Sequence, residues 1–251
     1  MTNLAPLIPV GLYLMGLYRT AFVYAGFIVQ AGYMLFRGMQ LGRLPIIGPH
    51  DTLYFLSAST VLFGLPMTLG LSSRRRHLIP IVGMAVFFAL ISLFYPPHNT
   101  PLPPVLKTFW FESHVTLSFF SYALFGIAAA LGMTFILFKG YEENTGGTAQ
   151  KSVDNIEVLQ YKAILVGYFL FSAAMVFGGI WAYLAWGTYW LWTPKELWTV
   201  ILWLFYSLYL HARLRRWWSG KPSAVLGIVG FVIVMFTYLG VSLLMKSSHT
   251  F

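Results

Sequence analysis

Apolar runs of about twenty residues recur from one end of this chain to the other, and no other feature restricts its fold as strongly. A run of that length is what an α-helix needs to cross the hydrocarbon core of a bilayer. Backbone in lipid must satisfy its own hydrogen bonds, and these runs lack the alternation of barrel strands. Because 58% of the residues are hydrophobic and only 9% are charged, the sequence predicts an all-α, polytopic membrane helical bundle.

Seven transmembrane helices are predicted, in a single integral membrane domain that covers residues 1–251. The predicted spans are 12–36, 52–71, 78–95, 115–138, 162–186, 196–212 and 223–245. The pattern leaves open whether the first span is one helix or two. The polar segment 139–161 is predicted to be an inner loop, either flexible or forming a short amphipathic helix.

Basic residues are distributed unequally between the two sets of loops. Eleven of the sixteen lie on one side of the predicted spans: Arg19, Arg74, Arg75, Arg76, Lys139, Lys151, Lys162, Arg213, Arg215, Arg216 and Lys221. The positive-inside rule makes that side cytoplasmic, or stromal in a plastid. Charge in short loops between spans indicates membrane orientation rather than a nucleic-acid partner. Cysteine is absent, so the chain supplies no thiolate ligand and no thiol to any reaction.

The segment "WGTYWLWTPKELW", residues 186–198, contains four tryptophans beside a polar break, on the predicted outer side. One interpretation is an interfacial belt, since tryptophan and tyrosine are enriched at that depth of a bilayer. The other is a flat binding surface, formed with Trp181 just before it. Thr193 to Glu196 has the pattern of a capping box with proline at the first helical position, which predicts a helix start.

The six histidines separate into three groups by position, of which two lie outside the predicted membrane interior. His50, His77 and His98 are interpreted as solvated residues at the ends of spans or in loops. His114 and His249 are predicted to lie on the outer face, at the depth of the tryptophan segment. Two imidazoles that flank an aromatic surface favour haem, with axial nitrogens on the iron and aromatic rings against the macrocycle. Zinc is a weaker alternative, because two histidines without a third ligand leave it underbound.

His211 lies inside the predicted membrane region. It follows Glu196 by fifteen residues, which is roughly 22 Å along a helix, so it is predicted near the inner face. An ionisable group at that depth indicates a functional site, although a helix-end histidine that reaches the inner surface is an equal alternative. The sequence contains no second histidine in the membrane, so a bis-histidine inner site requires a ligand from another subunit.

The run "WAYLAWGTYWLWTPKELWTVILWLFYSLYLHAR" resembles the tryptophan-rich signature of the CcsA (ResC) family, the membrane subunit of System II cytochrome c synthases. "HVTLSFFSYALF" and "GFVIVMFTYLGVSLLMKSSHTF" are similar to that family's outer histidine helix and its last helix with a terminal histidine. The similarity is dense from about residue 110 to the C-terminus. Two positions depart from the family pattern: Thr193 replaces an aspartate, and Phe55 replaces a glutamate.

The resemblance implies cytochrome c biogenesis, with haem b bound as substrate or transported ligand. His114 and His249 match the external haem ligands, and His211 matches the transmembrane ligand. The family's haem platform corresponds to a set of aromatic and capping residues here: Trp181, Trp186, Tyr189, Trp190, Trp192, Thr193 and Trp198. The implied partners are a CcsB (ResB)-like subunit, apocytochrome c and membrane lipid. The implied location is a bacterial inner membrane or a plastid thylakoid membrane, with the tryptophan loop and the C-terminus outside.

Other functions remain open at the level of sequence. A haem-binding regulatory protein, like the HemX-type relatives of this family, would bind haem without attaching it to a protein. An electron-transfer cytochrome b normally has paired histidines on neighbouring helices, and the inner pair is incomplete here. A transporter without haem is the remaining alternative. Attachment of haem as part of a synthase would require positioning rather than a general acid or nucleophile from this chain.

Overall fold

The computed structural model describes residues 6–69, 74–97, 99–142, 148–215 and 218–241. Every long regular element in these ranges is a helix and none is a strand, which confirms the predicted all-α class. The chain divides into two compact units, Met1–Leu102 and Pro103–Phe251. The single membrane domain predicted for residues 1–251 stays a prediction.

The helices of the first unit are α1 (Leu7–Met15), α2 (Ala21–Leu41), α3 (Gly48–Met67) and α4 (Arg74–Ser92). The second unit begins with a 3-10 turn at Pro104–Leu106. Its helices are α5 (Phe109–Glu142), α6 (Thr148–Trp186), α7 (Pro194–Leu214) and α8 (Lys221–Met235), and α8 continues into a π-helical turn at Phe236–Gly240.

The predicted first span, 12–36, is two helices rather than one, because the chain reverses between Met15 and Ala21. The reversal depends on small residues. A Cβ on Gly16 would collide with the Val23 side chain, and a Cβ on Gly26 would lie 2.7 Å from the Tyr13 ring. The two helices therefore pack closely against each other, for a reason that hydropathy does not reveal.

A series of hydrogen bonds crosses the interior of the first unit and joins its four described helices. The Tyr13 hydroxyl donates to Gln30 Oε1 over 2.5 Å, and Gln30 Nε2 donates to the Tyr54 carbonyl and to Ser57 Oγ. Ser57 Oγ in turn donates to the Ala85 carbonyl over 2.7 Å. Because a buried polar group without a partner is costly, these bonds restrict how the helices can slide past one another.

The histidines of the first unit correct the sequence interpretation. His50 is 4% exposed and His77 is 1% exposed, so neither is the solvated residue that its position near a span end suggested. His98 lies outside the described residues. His50 Nδ1 lies 2.9 Å from Asp51 Oδ1. Burial of these side chains depends on packing between helices, which local sequence does not encode.

Arg37 and Asp51 form a buried ion pair between α2 and α3. Arg37 donates from Nε to Asp51 Oδ1 over 2.8 Å and from Nη2 to Oδ2 over 3.0 Å. Its Nη1 donates to Asn99 Oδ1 over 3.0 Å. Such a two-point contact between guanidinium and carboxylate holds both groups in one geometry.

In the second unit, α5 and α6 pack side by side in opposite directions. Residues early in α5 meet residues late in α6, since His114 Nδ1 lies 2.8 Å from the Ala174 carbonyl. Near the other end, Gln160 Nε2 on α6 donates to the Ala128 carbonyl on α5 over 3.0 Å, and it also reaches the Ala224 carbonyl on α8. One amide thus connects three helices.

Most of the segment 139–161 is helical, which agrees with the helical alternative left open for it rather than with a flexible loop, and residues 143–147 lie outside the described ranges. α5 continues to Glu142, and α6 begins at Thr148. The segment contains glutamate, glutamine and lysine, which favour a helix once it has started. The helices therefore extend past the apolar stretches that define the predicted spans.

Four described helices are long and apolar enough to cross a membrane: Phe109–Leu137, Ile156–Trp186, Pro194–Leu214 and Lys221–Gly240. A shorter apolar helix covers His77–Ser92. The molecule is a helical membrane protein, and the count of seven spans stays a prediction. α2 and α3 are of similar length, but polar side chains such as Gln30, Arg37 and Asp51 lower their hydropathy.

Candidate functional site

The tryptophan-rich segment 181–198 includes a short loop between two membrane helices of the second unit. α6 ends at Trp186, residues 187–193 are not helical, and α7 begins at Pro194. Gly187 adopts a φ of +74°, which an L side chain rarely adopts, so glycine allows the chain to turn as it leaves α6.

The predicted capping box at the start of α7 is confirmed. Thr193 Oγ1 accepts the Glu196 N–H over 3.3 Å, and Glu196 Oε2 accepts the Thr193 N–H over 2.9 Å. The same carboxylate oxygen also accepts the Leu191 N–H over 3.0 Å. Glu196 therefore does more than cap a helix, because it holds the loop at both sides of Trp192.

Trp192 is the one described residue other than glycine with a positive φ, at 56°. The left-handed region is strained for a bulky side chain and costs on the order of 1–3 kcal/mol. Its indole is also 68% exposed within the structure, so the strain is not compensated by burial of the ring. Strain of this kind is found at functional sites, where the surroundings hold a side chain in a required position.

The aromatic residues of the segment divide into packing residues and surface residues. Trp181 is 3% exposed, donates from Nε1 to the Val105 carbonyl and meets the Trp186 ring edge-on at 4.9 Å. Trp198 packs edge-on against Phe236 at 4.5 Å. Tyr189 is exposed and stacks on Tyr183 with the ring centroids 4.5 Å apart, and the Trp190 and Trp192 rings meet edge-on at 6.4 Å.

Trp190 carries a hydrogen-bond donor that lacks an acceptor in the described part of the chain. Its indole Nε1 is buried and has no partner there. An indole N–H that is buried ordinarily finds an acceptor. The described structure therefore leaves this buried donor without an acceptor.

His114 lies in the second turn of α5, and its ring is held against α6. Its Nδ1 lies 2.8 Å from the Ala174 carbonyl. A carbonyl only accepts, so this contact requires a proton on Nδ1 and leaves the Nε2 lone pair for a ligand. Metal-binding histidines are commonly oriented in this way by a backbone carbonyl.

Two contacts place His114 next to the tryptophan loop. The ring lies against Gly178 of α6, and the next residue, Gly179, lies near the Tyr189 carbonyl of the loop, at 3.7 Å from the position of a Cβ. The Lys195 ammonium, at the start of α7, is close enough to interact with His114 electrostatically. The structure thus brings together His114, the loop and one basic side chain.

The other two predicted histidine ligands do not join this group. His249 lies outside the described residues. His211 is exposed in the last turn of α7, at the opposite end of that helix from the loop, roughly 22 Å from Glu196 by helical rise. The described residues also contain no group of three or more His, Cys, Asp or Glu side chains able to hold a metal ion.

Two elements of this arrangement are not visible in the sequence. The Ala174 carbonyl and the Gly178 backbone contact His114 from 60 or more positions away along the chain. The Gly178-Gly179 pair is the single sign in the sequence of the contact between His114 and Gly178. Pairing of a histidine with a distant carbonyl leaves no residue signature at all.

Glu196→Ala is expected to destabilise the loop, because two backbone N–H groups lose a charged acceptor. The expected decrease in the free energy of unfolding is about 1–2 kcal/mol, measured as a lower melting temperature in detergent. Glu196→Gln is the matched control, since its side-chain oxygen can still accept. Equal stability of the alanine variant and the wild type would contradict this role for the carboxylate.

Residues 49–249 match the family described as "Cytochrome C assembly protein". The match begins at the start of α3 and includes the tryptophan loop and every predicted histidine ligand. It therefore covers both His114 and the residues that surround it.

Curated proteins are similar to most of the chain. The chain is 33% identical over 224 residues to the cytochrome c biogenesis protein CcsA of Chlamydomonas reinhardtii, which covers 87% of this chain and 64% of that protein. It is 32% identical to CcsA of Prochlorococcus marinus (strain AS9601), over 87% of this chain and 79% of that one. CcsA of Mesostigma viride is 28% identical, over 91% and 84%. The chain thus spans less than two thirds of the Chlamydomonas protein.

Proposed function

This chain belongs to the cytochrome c assembly protein family, and on that premise we propose that it binds haem beside the tryptophan loop and presents it for covalent attachment to apocytochrome c. Its relatives are named as cytochrome c biogenesis proteins. The observation that carries the proposal is the His114 ring, held by the Ala174 carbonyl next to an exposed aromatic loop.

His114 Nε2 is the proposed axial ligand of the haem iron. The Ala174 carbonyl accepts from Nδ1, so Nε2 keeps its lone pair, and the hydrogen bond makes the imidazole a stronger donor to the metal. His249 is the proposed second ligand, on the basis of the family resemblance. Two histidine nitrogens complete the coordination of a haem iron without any other residue from this chain.

The aromatic loop supplies the surface for the macrocycle. Tyr189 and Trp192 are exposed, and Trp192 is held in its strained conformation by the hydrogen bonds of Glu196 to Leu191 and Thr193. A rigid aromatic side chain binds a flat apolar ligand with little loss of entropy on binding. Trp181 packs against Trp186 at the end of α6 and Trp198 packs against Phe236, and neither is proposed to contact haem.

The haem propionates are the proposed partners of Lys195 and Trp190. The Trp190 indole N–H has no acceptor in the described structure, and Lys195 forms no ion pair with a described carboxylate. A propionate accepts from both kinds of donor. Glu196 is not assigned to haem, since its carboxylate already accepts from the loop backbone.

The attachment step needs only positioning from this chain, which contains no cysteine. Each thiol of an apocytochrome Cys-x-x-Cys-His segment adds across a haem vinyl group, with sulfur bonding to one carbon and hydrogen to the other. The addition is balanced without an external oxidant. Holding the vinyl edge near the incoming thiols converts an encounter in solution into a reaction within one complex.

A second membrane subunit of the CcsB (ResB) type is the proposed partner, and it would provide the companion of His211 for an inner haem site. The proposed orientation puts the tryptophan loop and the C-terminus outside, because eleven of sixteen basic residues lie on the other side. A reporter fused after Phe251 tests that orientation. The surrounding lipid belongs to a bacterial inner membrane or a thylakoid membrane.

The proposal is tested by co-expressing this chain with a CcsB-type subunit and an apocytochrome c. The purified chain is expected to show a Soret band, and covalent haem on the denatured cytochrome is expected only when both membrane subunits are present. Absence of haem from protein made in haem-sufficient cells would contradict the whole proposal. Bound haem without attachment would instead favour a regulatory protein of the HemX type.

A further inference from the structure

We propose that Gly178 is a positioning residue for His114: because it has no side chain, the imidazole can lie against α6, donate Nδ1–H to the Ala174 carbonyl and direct Nε2 towards haem. This inference rests on the proposed function for the identity of the ligand. The geometry of the ring itself does not depend on haem.

The contact between the His114 ring and Gly178 leaves no room for a methyl group. A Cβ on Gly178 would lie 2.6 Å from Nδ1, 2.8 Å from Cε1 and 3.3 Å from Cγ of the imidazole. Carbon and nitrogen atoms that do not bond normally stay about 3.5 Å apart or more. Any side chain at position 178 therefore requires the ring to move.

The ring cannot move while keeping its hydrogen bond. Nδ1 is both the atom nearest to the hypothetical Cβ and the atom that lies 2.8 Å from the Ala174 carbonyl. Ala174 and Gly178 are four residues apart and so occupy one face of α6. A displacement that relieves the clash at Gly178 thus pulls Nδ1 away from the carbonyl one turn earlier.

Separation of the two helices cannot relieve the clash either, because α5 and α6 are close along much of their length. A Cβ on Gly167 would lie 2.9 Å from the Phe125 ring, so the helices nearly touch there. Further along, Gln160 links α6 to the Ala128 carbonyl of α5. Close-packed interiors resist such shifts, so the smallest response is rotation of the imidazole.

Gly179 provides a matched control for the same substitution. The nearest atom to a Cβ at that position is the Tyr189 carbonyl oxygen at 3.7 Å, an ordinary contact. Both glycines lie in α6 and neither is in the left-handed region. An added methyl group therefore has the same effect on helix propensity at both positions, and only the one at 178 meets His114.

The first measurement reads the imidazole without haem. Nitrogen-15 NMR of histidine-labelled protein in detergent, with His114→Gln to identify the signal, is expected to show the Nδ1-protonated tautomer of His114 in the wild type and in Gly179→Ala. Gly178→Ala is expected to lose that signature. A wild-type protein with the proton on Nε2, or a Gly178→Ala variant with an unchanged spectrum, would overturn the inference.

The second measurement is a haem titration of the same proteins. Gly178→Ala is expected to bind haem about 10- to 100-fold more weakly, the usual effect of losing the group that orients a ligand, and added imidazole is expected to restore part of the axial-ligand spectrum. In a His114→Gly background there is no ring to displace, so Gly178→Ala should cause no further loss. The double variant also covers the case in which Gly178→Ala alone fails to fold. Without the His114 ring the added methyl group meets no clash, so the double variant should fold.

The two proposals fail in distinguishable ways. If the tautomer changes as expected but the wild type binds no haem, the positioning role of Gly178 stands and the proposed function is wrong. If the wild type binds haem through His114 and Gly178→Ala binds it equally well, the proposed function stands and the positioning role is wrong.

Discussion

His114→Ala is expected to remove most of the haem that copurifies with the wild-type protein. The substitution deletes the axial nitrogen and exposes a large apolar ligand to water, so affinity should fall by at least about tenfold. Loss of the Soret band at equal protein concentration measures the effect. His249→Ala is expected to behave in the same way if it supplies the second ligand.

Added imidazole separates a lost ligand from a lost surface. It can occupy the empty axial position, so it should restore part of the spectrum of His114→Ala. It should do little for a variant with Trp190→Ala and Trp192→Ala, in which the missing parts are an aromatic surface and an indole N–H donor rather than an axial ligand. Ser118→Ala is the control on the same helix, because within the described residues its hydroxyl donates to the His114 carbonyl alone. A His114→Ala, His249→Ala double variant with wild-type haem content would refute the bis-histidine site.

Arg37→Met is expected to destabilise the protein by about 3–5 kcal/mol, because it leaves the Asp51 carboxylate buried without its countercharge. The Asp51 side chain is 1% exposed and receives two hydrogen bonds from Arg37. Thermal unfolding in detergent measures the loss. Arg75→Met, at an exposed position of α4, is the matched control and should change stability by less than about 0.5 kcal/mol.

Removal of both charges tests whether the penalty comes from the unpaired carboxylate. The double variant Arg37→Met, Asp51→Leu is expected to recover most of the lost stability, since a buried ion pair can often be replaced by apolar groups at little cost. His50 then loses its contact with Asp51, at a cost of about 1 kcal/mol. A double variant as unstable as the single one would contradict this account.

The ion pair also predicts a dependence on pH. Burial raises the pKa of the Asp51 carboxyl, but the hydrogen bonds from His50 and Arg37 and the charge of Arg37 outweigh it, so the pKa lies below its usual value. A lowered pKa in the folded state stabilises the protein above the unfolded pKa of about 3.9. That contribution is lost as the pH falls through the folded pKa. The difference in stability between wild type and Arg37→Met should therefore shrink under such acid conditions.

Local signals in the sequence predicted the start of α7 correctly. Thr193, Pro194 and Glu196 stand at the spacing of a capping box, and the Thr193 and Glu196 side chains accept each other's backbone N–H groups, three residues apart. The apolar runs likewise predicted the four long helices of the second unit, because helix formation in lipid depends on composition along a single segment. Neither feature requires knowledge of any other part of the chain.

The sequence predicts burial wrongly where a side chain is covered by another helix. His50 and His77 stand near span ends and were interpreted as solvated, yet both are buried by neighbouring helices. The sequence left open whether the first span is one helix or two, and the structure has two because Gly16 and Gly26 allow a close reversal. The sequence also does not show that the Trp192 backbone is strained. That strain is held by the hydrogen bonds from the N–H groups of Leu191 and Thr193 to Glu196.

The sequence by itself determined the helical class, the aromatic loop and the cap that follows it, since each depends on neighbours within a few positions. Only the tertiary structure decided which nitrogen of His114 is available to a ligand. That outcome depends on the register of α5 against α6, which sets the ring beside the Ala174 carbonyl and against Gly178. Every residue has a backbone carbonyl, so the sequence cannot single out that of Ala174. The missing side chain of Gly178 matters only because α5 packs against it and places His114 there.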